Sequence, residues 1–392
     1  MAEDLEHVVV VGAGLAAANA VETLREEGYA GALTVVGEEP ELPYERPQLS
    51  KELLKGEAEF GLVHDAGWYA ERDVRVLTGV TATDLALGDR MVTLDTGETL
   101  AYDALLLATG ARPRIPDLPG VESALVLRTV ADARRLSDAL TPGTRVALVG
   151  GGWIGLEVAA AARSRGAEAV VLEMAPLPLG NVLGPELAGY LVDLHRSHGV
   201  EVRTGVTVEA IEPGGVVTAE GRVPADVVVL AVGAVPETGL AERAGIEVSD
   251  GIVVDDRLRT SDPRVYAAGD VATAVHATLG PLRVEHWDNA IRQGRLAGRV
   301  ILGQDVSYDW APYFFTDQFE FSMEYVGRGA PDDQVVIRGD RDAHEFIAYW
   351  LRPVPDGKTV TAAMNVGIWD VNDRLREMVG TVVDPDELTD LR

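Results

Sequence analysis

There is no cysteine among the 392 residues of this chain. That absence excludes structural disulfides, thiolate metal centres, a redox-active dithiol and a cysteine-sulfenate oxidase. Positive charge is also scarce: 34 Lys and Arg stand against 63 Asp and Glu, a formal net charge of −29. Such a balance argues against nonspecific nucleic-acid binding and against acidic membrane surfaces, so neither nucleic acid nor membrane is expected as a partner. No apolar run approaches the roughly 18 residues that a spanning helix needs. The segment Met1 to His7 is acidic and lacks the basic-then-apolar order of a signal peptide. A cytoplasmic protein is therefore expected. What the chain does have is core material: 47% of residues are hydrophobic, in a length that suits two or three domains.

One signature occurs twice, about 140 residues apart. The first copy is Val8-Val9-Val10-Val11-Gly12-Ala13-Gly14-Leu15-Ala16-Ala17, and Glu38 closes the next apolar run. The second is Val146-Ala147-Leu148-Val149-Gly150-Gly151-Gly152-Trp153-Ile154-Gly155, with Glu173 in the corresponding place. In each, a buried β-branched strand runs into a turn that glycine makes tightly. A second glycine admits a pyrophosphate, and a third small residue lets the following helix pack on the strand. The pyrophosphate then meets the free N–H groups of that helix. Each Glu follows its first glycine by 26 or 23 residues, near the roughly 20 expected of an acid that binds a ribose. Two such sites suggest two dinucleotides brought together to exchange electrons.

A second repeat supports the first. Asp103 to Pro113 matches Asp226 to Pro236 in the spacing of Asp, Gly and Pro, and each follows a hairpin signal, Asp95-Thr96-Gly97-Glu98 or Glu220-Gly221-Arg222. Periodicity predicts strand, helix (Leu15 to Glu27) and strand over 7–37, an irregular Pro-rich stretch from Pro40 to Pro47, and short strands over 74–110. It then predicts helices from Ile154 to Arg165 and from Pro185 to His198, and strands again from Ile246. Residues 309–392 read as a separate α+β domain.

Several segments carry a specific resemblance: Leu42-Pro43-Tyr44-Glu45-Arg46-Pro47-Gln48-Leu49-Ser50-Lys51, Ala267-Ala268-Gly269-Asp270, Glu285-His286-Trp287 and Phe314-Phe315-Thr316-Asp317-Gln318. Over essentially its whole length the chain resembles the NAD(P)H-dependent ferredoxin reductases of oxygenase systems, two-dinucleotide flavoproteins of the glutathione-reductase class. Apoptosis-inducing factor shares that architecture. The resemblance implies an α/β fold with two Rossmann-like dinucleotide-binding domains and a C-terminal α+β domain. The FAD domain would span 1–112 and 239–308, the NAD domain 113–238 and the C-terminal domain 309–392. It also implies hydride transfer from nicotinamide C4 to flavin N5, then delivery of single electrons to an iron–sulfur ferredoxin that feeds an oxygenase. The cofactors carry the hard chemistry in such enzymes, and no protein nucleophile is needed. The protein would be a monomer or homodimer. Two departures from the family pattern are Gln48, where proline is usual, and the segment Pro176 to Gly180, which lacks a basic residue often found there.

Carried over residue by residue, the resemblance places Gly12, Gly14 and Ala16 at the FAD pyrophosphate and Glu38 at its adenosine ribose. Val80 would meet the adenine through its backbone, and Arg128 would add positive charge near the adenosine diphosphate part. The FAD set extends to Arg46, Ala108, Thr109, Gly110, Glu285 and His286. Asp270 is read as lying at a glycine turn before a helix, either accepting from ribityl hydroxyls or acting as a plain helix N-cap. Gly150, Gly152, Ile154, Gly155, Glu173 and Gly233 form the NADH set. Glu173 repels a 2′-phosphate and has no arginine beside it, so NADH is expected over NADPH.

Lys51 and Glu157 are implied nearest the reacting atoms, paired, with the lysine stabilising charge on the reduced flavin. On the residues alone, Glu157 is open to being a solvated helix position and Lys51 to pairing with Glu52 or Glu57. Trp287 is read as shielding the flavin or as a core aromatic. Arg292, Arg295 and Arg299 recur at helical spacing, with Arg283 upstream. They read equally as a ferredoxin-docking stripe and as a solvated face balanced by acidic neighbours. Two other functions are compatible with the residues: an NADH:quinone or small-oxidant reductase, and a redox-responsive binding protein.

Overall fold

The valine-rich runs become buried parallel strands, as expected for a sheet covered on both faces. A computed structural model describes residues 5–392. The reading of Met1 to His7 falls partly on residues 1–4, outside the described residues. Two units form, each from separated stretches of chain. The first comprises residues up to Glu45, Gly61–Arg112 and Val235–Trp310, and the second Arg46–Phe60, Pro113–Ala234 and Ala311–Arg392.

In the first unit a five-stranded sheet runs in the order Val265–Ala267, Ala104–Leu107, His7–Val11, Ala32–Gly37, Val74–Thr78. All of its pairings are parallel. Val8, Val9 and Val10 are fully buried at its centre. The helix Leu15–Glu26 follows the first strand and sets Ala17, Ala20, Val21 and Leu24 into the same core. The helix Trp287–Ile301 packs closely on it. A Cβ at Gly294 would stand 2.3 Å from the Ala16 carbonyl oxygen, so only glycine permits that approach.

The second unit repeats this plan. Its sheet runs Glu201–Thr204, Glu168–Glu173, Arg145–Val149, Val227–Leu230, again parallel. In both units a three-stranded antiparallel meander precedes the returning strand. It comprises Ala82–Ala86, Met91–Leu94 and Thr99–Ala101 in one, and Val208–Glu212, Gly215–Thr218 and Gly221–Pro224 in the other. Both expected hairpins are present. The helix Trp153–Ser164 follows the second glycine turn. The helix Gly180–Ser197 is broken at Gly184 (φ 76°), and its regular part begins at Pro185, where a first-turn proline loses no hydrogen bond. The helix Val130–Ala139 was not anticipated, although Thr129 and Asp132 form a full capping box.

Residues 313–383 supply an antiparallel sheet in the order Tyr313–Gln318, Phe321–Gly327, Gly357–Val366, Glu345–Val354, Gln334–Asp340, with Val382–Val383 added to Gly357–Val366. Strand alternation divides its faces. Phe346, Ala348 and Trp350 join Leu183, Leu187 and Leu191 in one core, while Ile347, Tyr349 and Leu351 join Val371 and Leu375 in another. The fold is thus α/β with two Rossmann-like units and a C-terminal α+β portion.

One expectation fails here. Gly269-Asp270 leads into the strand Ala272–His276, not into a helix, so neither the helix-dipole reading of Asp270 nor the N-cap reading holds. In this strand burial alternates, with Ala272, Ala274 and His276 inward and Val275 39% exposed.

Candidate functional site

The first glycine turn is fixed by backbone packing. Gly12 has φ +107°, and a Cβ there would lie 2.1 Å from the Ala108 carbonyl oxygen. Its N–H donates to Val36 O at 2.7 Å, while Ala108 N–H donates to Val11 O at 2.7 Å. Gly14 is the N-cap of Leu15–Glu26, with no side chain capping it and open space where a Cβ would point. The first-turn amides of that helix therefore face an uncovered space suited to an anion. Ala16 is buried behind the turn, and Glu38 is exposed directly after the strand Ala32–Gly37. Val80 gives its N–H to Gly37 O at 2.9 Å, which leaves only its carbonyl for an adenine. Thr109 donates its hydroxyl to Glu237 O at 2.7 Å, and Gly110 O accepts from Glu237 N–H at 2.9 Å. The Gly269 N–H donates to Gln293 Oε1 at 2.8 Å, which holds the turn carrying Asp270 on the helix Trp287–Ile301. Glu285 pairs with Arg283, and His286 is that helix's N-cap. Trp287 is half-buried, and its indole N–H donates to the Glu45 carboxylate. An open glycine-capped helix with an acid at the neighbouring strand end fits FAD.

The second turn has the same construction. Gly150 has φ +103° and a Cβ there would lie 2.5 Å from Ala231 O; one at Gly155 would lie 2.3 Å from Gly150 O. Gly152 caps Trp153–Ser164 with no side-chain cap. Glu173 accepts from Gly151 N–H at 2.6 Å and from Ala175 N–H at 2.7 Å, one on each carboxylate oxygen. The carboxylate is held in place yet keeps lone pairs for two ribose hydroxyls, and its charge opposes a 2′-phosphate. Ile154 is 43% exposed on the first turn of the helix. Gly233 O accepts from Arg114 N–H at 2.9 Å. This set fits NADH.

Lys51 and Glu157, both in the second unit, form a buried ion pair of 2.8 Å with side-chain exposures of 9% and 4%. This geometry replaces the solvated-helix reading of Glu157 and the pairing of Lys51 with Glu52 or Glu57. The chain has three lysines, Lys51, Lys55 and Lys358, and otherwise uses arginine for positive charge. The ammonium at 51 is a compact point charge, unlike the planar fork of an arginine. Two more residues complete the cage, and neither was singled out from the sequence for this role. Ser50 donates its hydroxyl to Glu157 Oε2 at 2.5 Å, and Thr316 donates to Glu157 Oε1 at 2.5 Å. The Lys51 ammonium also lies 5.3 Å from the Phe315 ring centroid. Arg46 donates to the Arg128 carbonyl at 2.5 Å, and the Arg128 N–H donates to Asp132 at 3.2 Å.

The arginines upstream of and along Trp287–Ile301 are largely neutralised. Arg292 pairs with Asp288 at 2.9 Å, Arg299 with Glu27 at 3.5 Å, and Arg283 with Glu285 and with Asp250 at 3.3 Å. Arg295 is the exception: it is exposed and donates to the neutral Asn19 at 3.2 Å. Among the described residues no His, Cys, Asp and Glu group of metal-site type occurs, and no helix is long and apolar enough to cross a membrane.

Comparison with known proteins agrees with this construction. Residues 6–294 match the pyridine nucleotide-disulphide oxidoreductase family, and residues 313–390 match the reductase C-terminal family. The ferredoxin–NAD(+) reductase subunit of the benzene 1,2-dioxygenase system of Pseudomonas putida is 35% identical, over 98% of this chain and 95% of that protein. Putidaredoxin reductase of Pseudomonas putida is 34% identical, over 88% and 86%. Among solved structures, the covalent putidaredoxin reductase–putidaredoxin complex superposes with a TM-score of 0.92 at 32% identity, covering 97% of this chain and 95% of that one. A ferredoxin reductase from Rhodopseudomonas palustris gives 0.91 at 31% identity, over 97% and 96%. With its duplicated glycine turns, its reductase-type C-terminal sheet and these relatives, the chain belongs to the pyridine nucleotide-disulphide oxidoreductase family of enzymes, among the ferredoxin reductases, and it does so without a single cysteine.

Proposed function

We propose that the chain is an FAD-dependent NADH:ferredoxin reductase that supplies an oxygenase. The duplicated dinucleotide unit carries this reading: the same strand order, meander, glycine-capped helix and strand-end glutamate occur in both units. FAD held at the first turn would supply the change from two-electron uptake, as hydride from NADH, to one-electron release, which matches a one-electron iron–sulfur partner. The chain's own residues bind and orient. The amides after Gly14 hold the FAD pyrophosphate, Glu38 its ribose and the Val80 carbonyl its adenine, while Ala108, Thr109, Gly110 and Asp270 line the same cofactor. The amides after Gly152 hold NADH, with Ile154 as an apolar cover and Glu173 selecting the free 2′-hydroxyl.

Lys51 is assigned to the flavin, where its ammonium stabilises negative charge gained on reduction, and Glu157 holds it at one point. Trp287 shields the flavin, positioned by Glu45 through the indole N–H. The family's two-cysteine chemistry is closed to this chain, so electrons leave to an external acceptor. An iron–sulfur ferredoxin is that acceptor, in a cytoplasmic setting. Arg295 is the favoured contact of the arginine set, because Arg283, Arg292 and Arg299 already face carboxylates. Steady-state cytochrome c reduction by NADH tests the proposal. It should require an added ferredoxin. Equal turnover without ferredoxin, or preferential turnover of quinones, would favour the small-oxidant reductase instead.

A further inference from the structure

Glu157 is the end of a longer buried chain of polar side chains. Thr316 Oγ1 receives Gln318 Nε2–H at 3.0 Å, and Gln318 Oε1 faces His195 Nε2 at 2.8 Å. Thr316, Gln318 and His195 are each at most 1% exposed, and all lie in the second unit with Lys51 and Glu157. Nothing in the hydride transfer uses these three residues. The chain nevertheless has a direction, because an amide nitrogen only donates and an amide oxygen only accepts. Gln318 therefore makes His195 Nε2 the donor. It also fills the acceptor side of the Thr316 hydroxyl, whose one proton is then given to Glu157. Ser50 and Lys51 donate as well. Three groups able to donate thus converge on the Glu157 carboxylate.

The opposite polarity is self-consistent too, and it has the opposite result. With the amide turned, Thr316 donates to Gln318, Glu157 must be a neutral acid donating to Thr316, and His195 must carry its proton on Nδ1. The surroundings of His195 decide between the two. Its Nδ1 is buried without a hydrogen-bond partner, and the Phe319 ring stands edge-on 5.1 Å away. An orphaned N–H there costs more than an unfilled lone pair. Burial, the largest influence, also pushes the His195 pKa down, so the ring is neutral and carries one proton.

We propose that Gln318 is a positioning residue: held in one orientation by His195, it fixes the Thr316 hydroxyl as a donor to the Glu157 carboxylate that anchors Lys51. The functional consequence rests on the assignment of Lys51 to the flavin; the relay itself does not.

The test uses the full-length FAD-loaded protein. Nitrogen-15 NMR of labelled histidine, assigned with His195→Gln, should show His195 as the neutral Nε2–H tautomer. Infrared difference spectra, with Glu157→Gln as the blank, should show the Glu157 carboxylate stretch moved in Thr316→Val, which removes one donor, and restored in Thr316→Ser. A purely structural network would lower thermal stability without moving either signal. An Nδ1–H tautomer in the wild type, or an unmoved carboxylate stretch in Thr316→Val, overturns the relay. Should Thr316→Val not fold, the wild-type tautomer still decides. If the relay holds but Glu157→Gln leaves reduction of the flavin by NADH unchanged, the assignment of the pair to the flavin fails instead.

Discussion

Replacing Glu157 by Gln isolates the buried charge pair. At 2.8 Å, and with an effective dielectric of about 20, the Lys51–Glu157 attraction is about 6 kcal/mol before desolvation is subtracted. Each buried ion loses several kcal/mol of hydration, so the pair itself adds little net stability. Breaking it is another matter. Glu157→Gln strands an ammonium at 9% exposure, and the expected loss is about 3–5 kcal/mol. Lys51→Met should cost less, because Ser50 and Thr316 still donate to the carboxylate. The double variant should then be no worse than Glu157→Gln, giving a coupling energy of about 2–3 kcal/mol. A chain of two units need not unfold in one step, so the readout is native-state hydrogen exchange of peptides from Trp153–Ser164, the helix carrying Glu157. A coupling energy within about 0.5 kcal/mol of zero would refute the reasoning. The proposed assignment of the pair to the flavin adds a second readout. Flavin reduction by NADH should accordingly slow in both single variants.

The other predictions concern the turns, the cofactor choice, the partner and pH. Gly12→Ala forces a Cβ to 2.1 Å from Ala108 O at φ +107°, so the purified variant should lack FAD absorbance, while Gly155→Ala should retain FAD and bind NADH weakly by titration. Glu173→Arg should lower the ratio of kcat/KM for NADH over NADPH, and an unchanged ratio would remove Glu173 from ribose selection. Arg295→Ala should raise the KM for ferredoxin and spare NADH–dye activity; equal loss of both would end its role in docking. Burial holds His7 and His195 below the ordinary imidazole pKa of 6.5, so the unfolded chain takes up their protons first. Stability contributed by these neutral rings is complete above about 6.5 and declines as pH falls through it. The fall in Tm over that range should be shallower in His195→Gln.

Local features were legible in the sequence, and distant side-chain pairing was not. Both glycine turns, both strand-end glutamates, both hairpins and the start of a regular helix at Pro185 follow from rules that act within a few residues. Glu157 stands out by its place two residues after Gly155 and by resemblance, but its pairing is not local. Its partners Ser50 and Thr316 lie 107 and 159 residues away along the chain, with nothing local to join them. The arginine spacing on Trp287–Ile301 was equally plain, but the pairing of Arg299 with Glu27 and of Arg295 with Asn19 depends on how two helices pack. Asp270 shows a further limit: its glycine turn suggests a helix, and the residue types that follow, with Val275 outward and His276 inward, do not mark the strand they form.

Anaerobic titration of the purified protein with NADH tests the central claim most directly. A yellow protein is expected, whose flavin absorbance is bleached by one equivalent of NADH and returns when an oxidised iron–sulfur ferredoxin is added. A colourless preparation that takes up no FAD, or a bound flavin that NADH leaves oxidised, would contradict it.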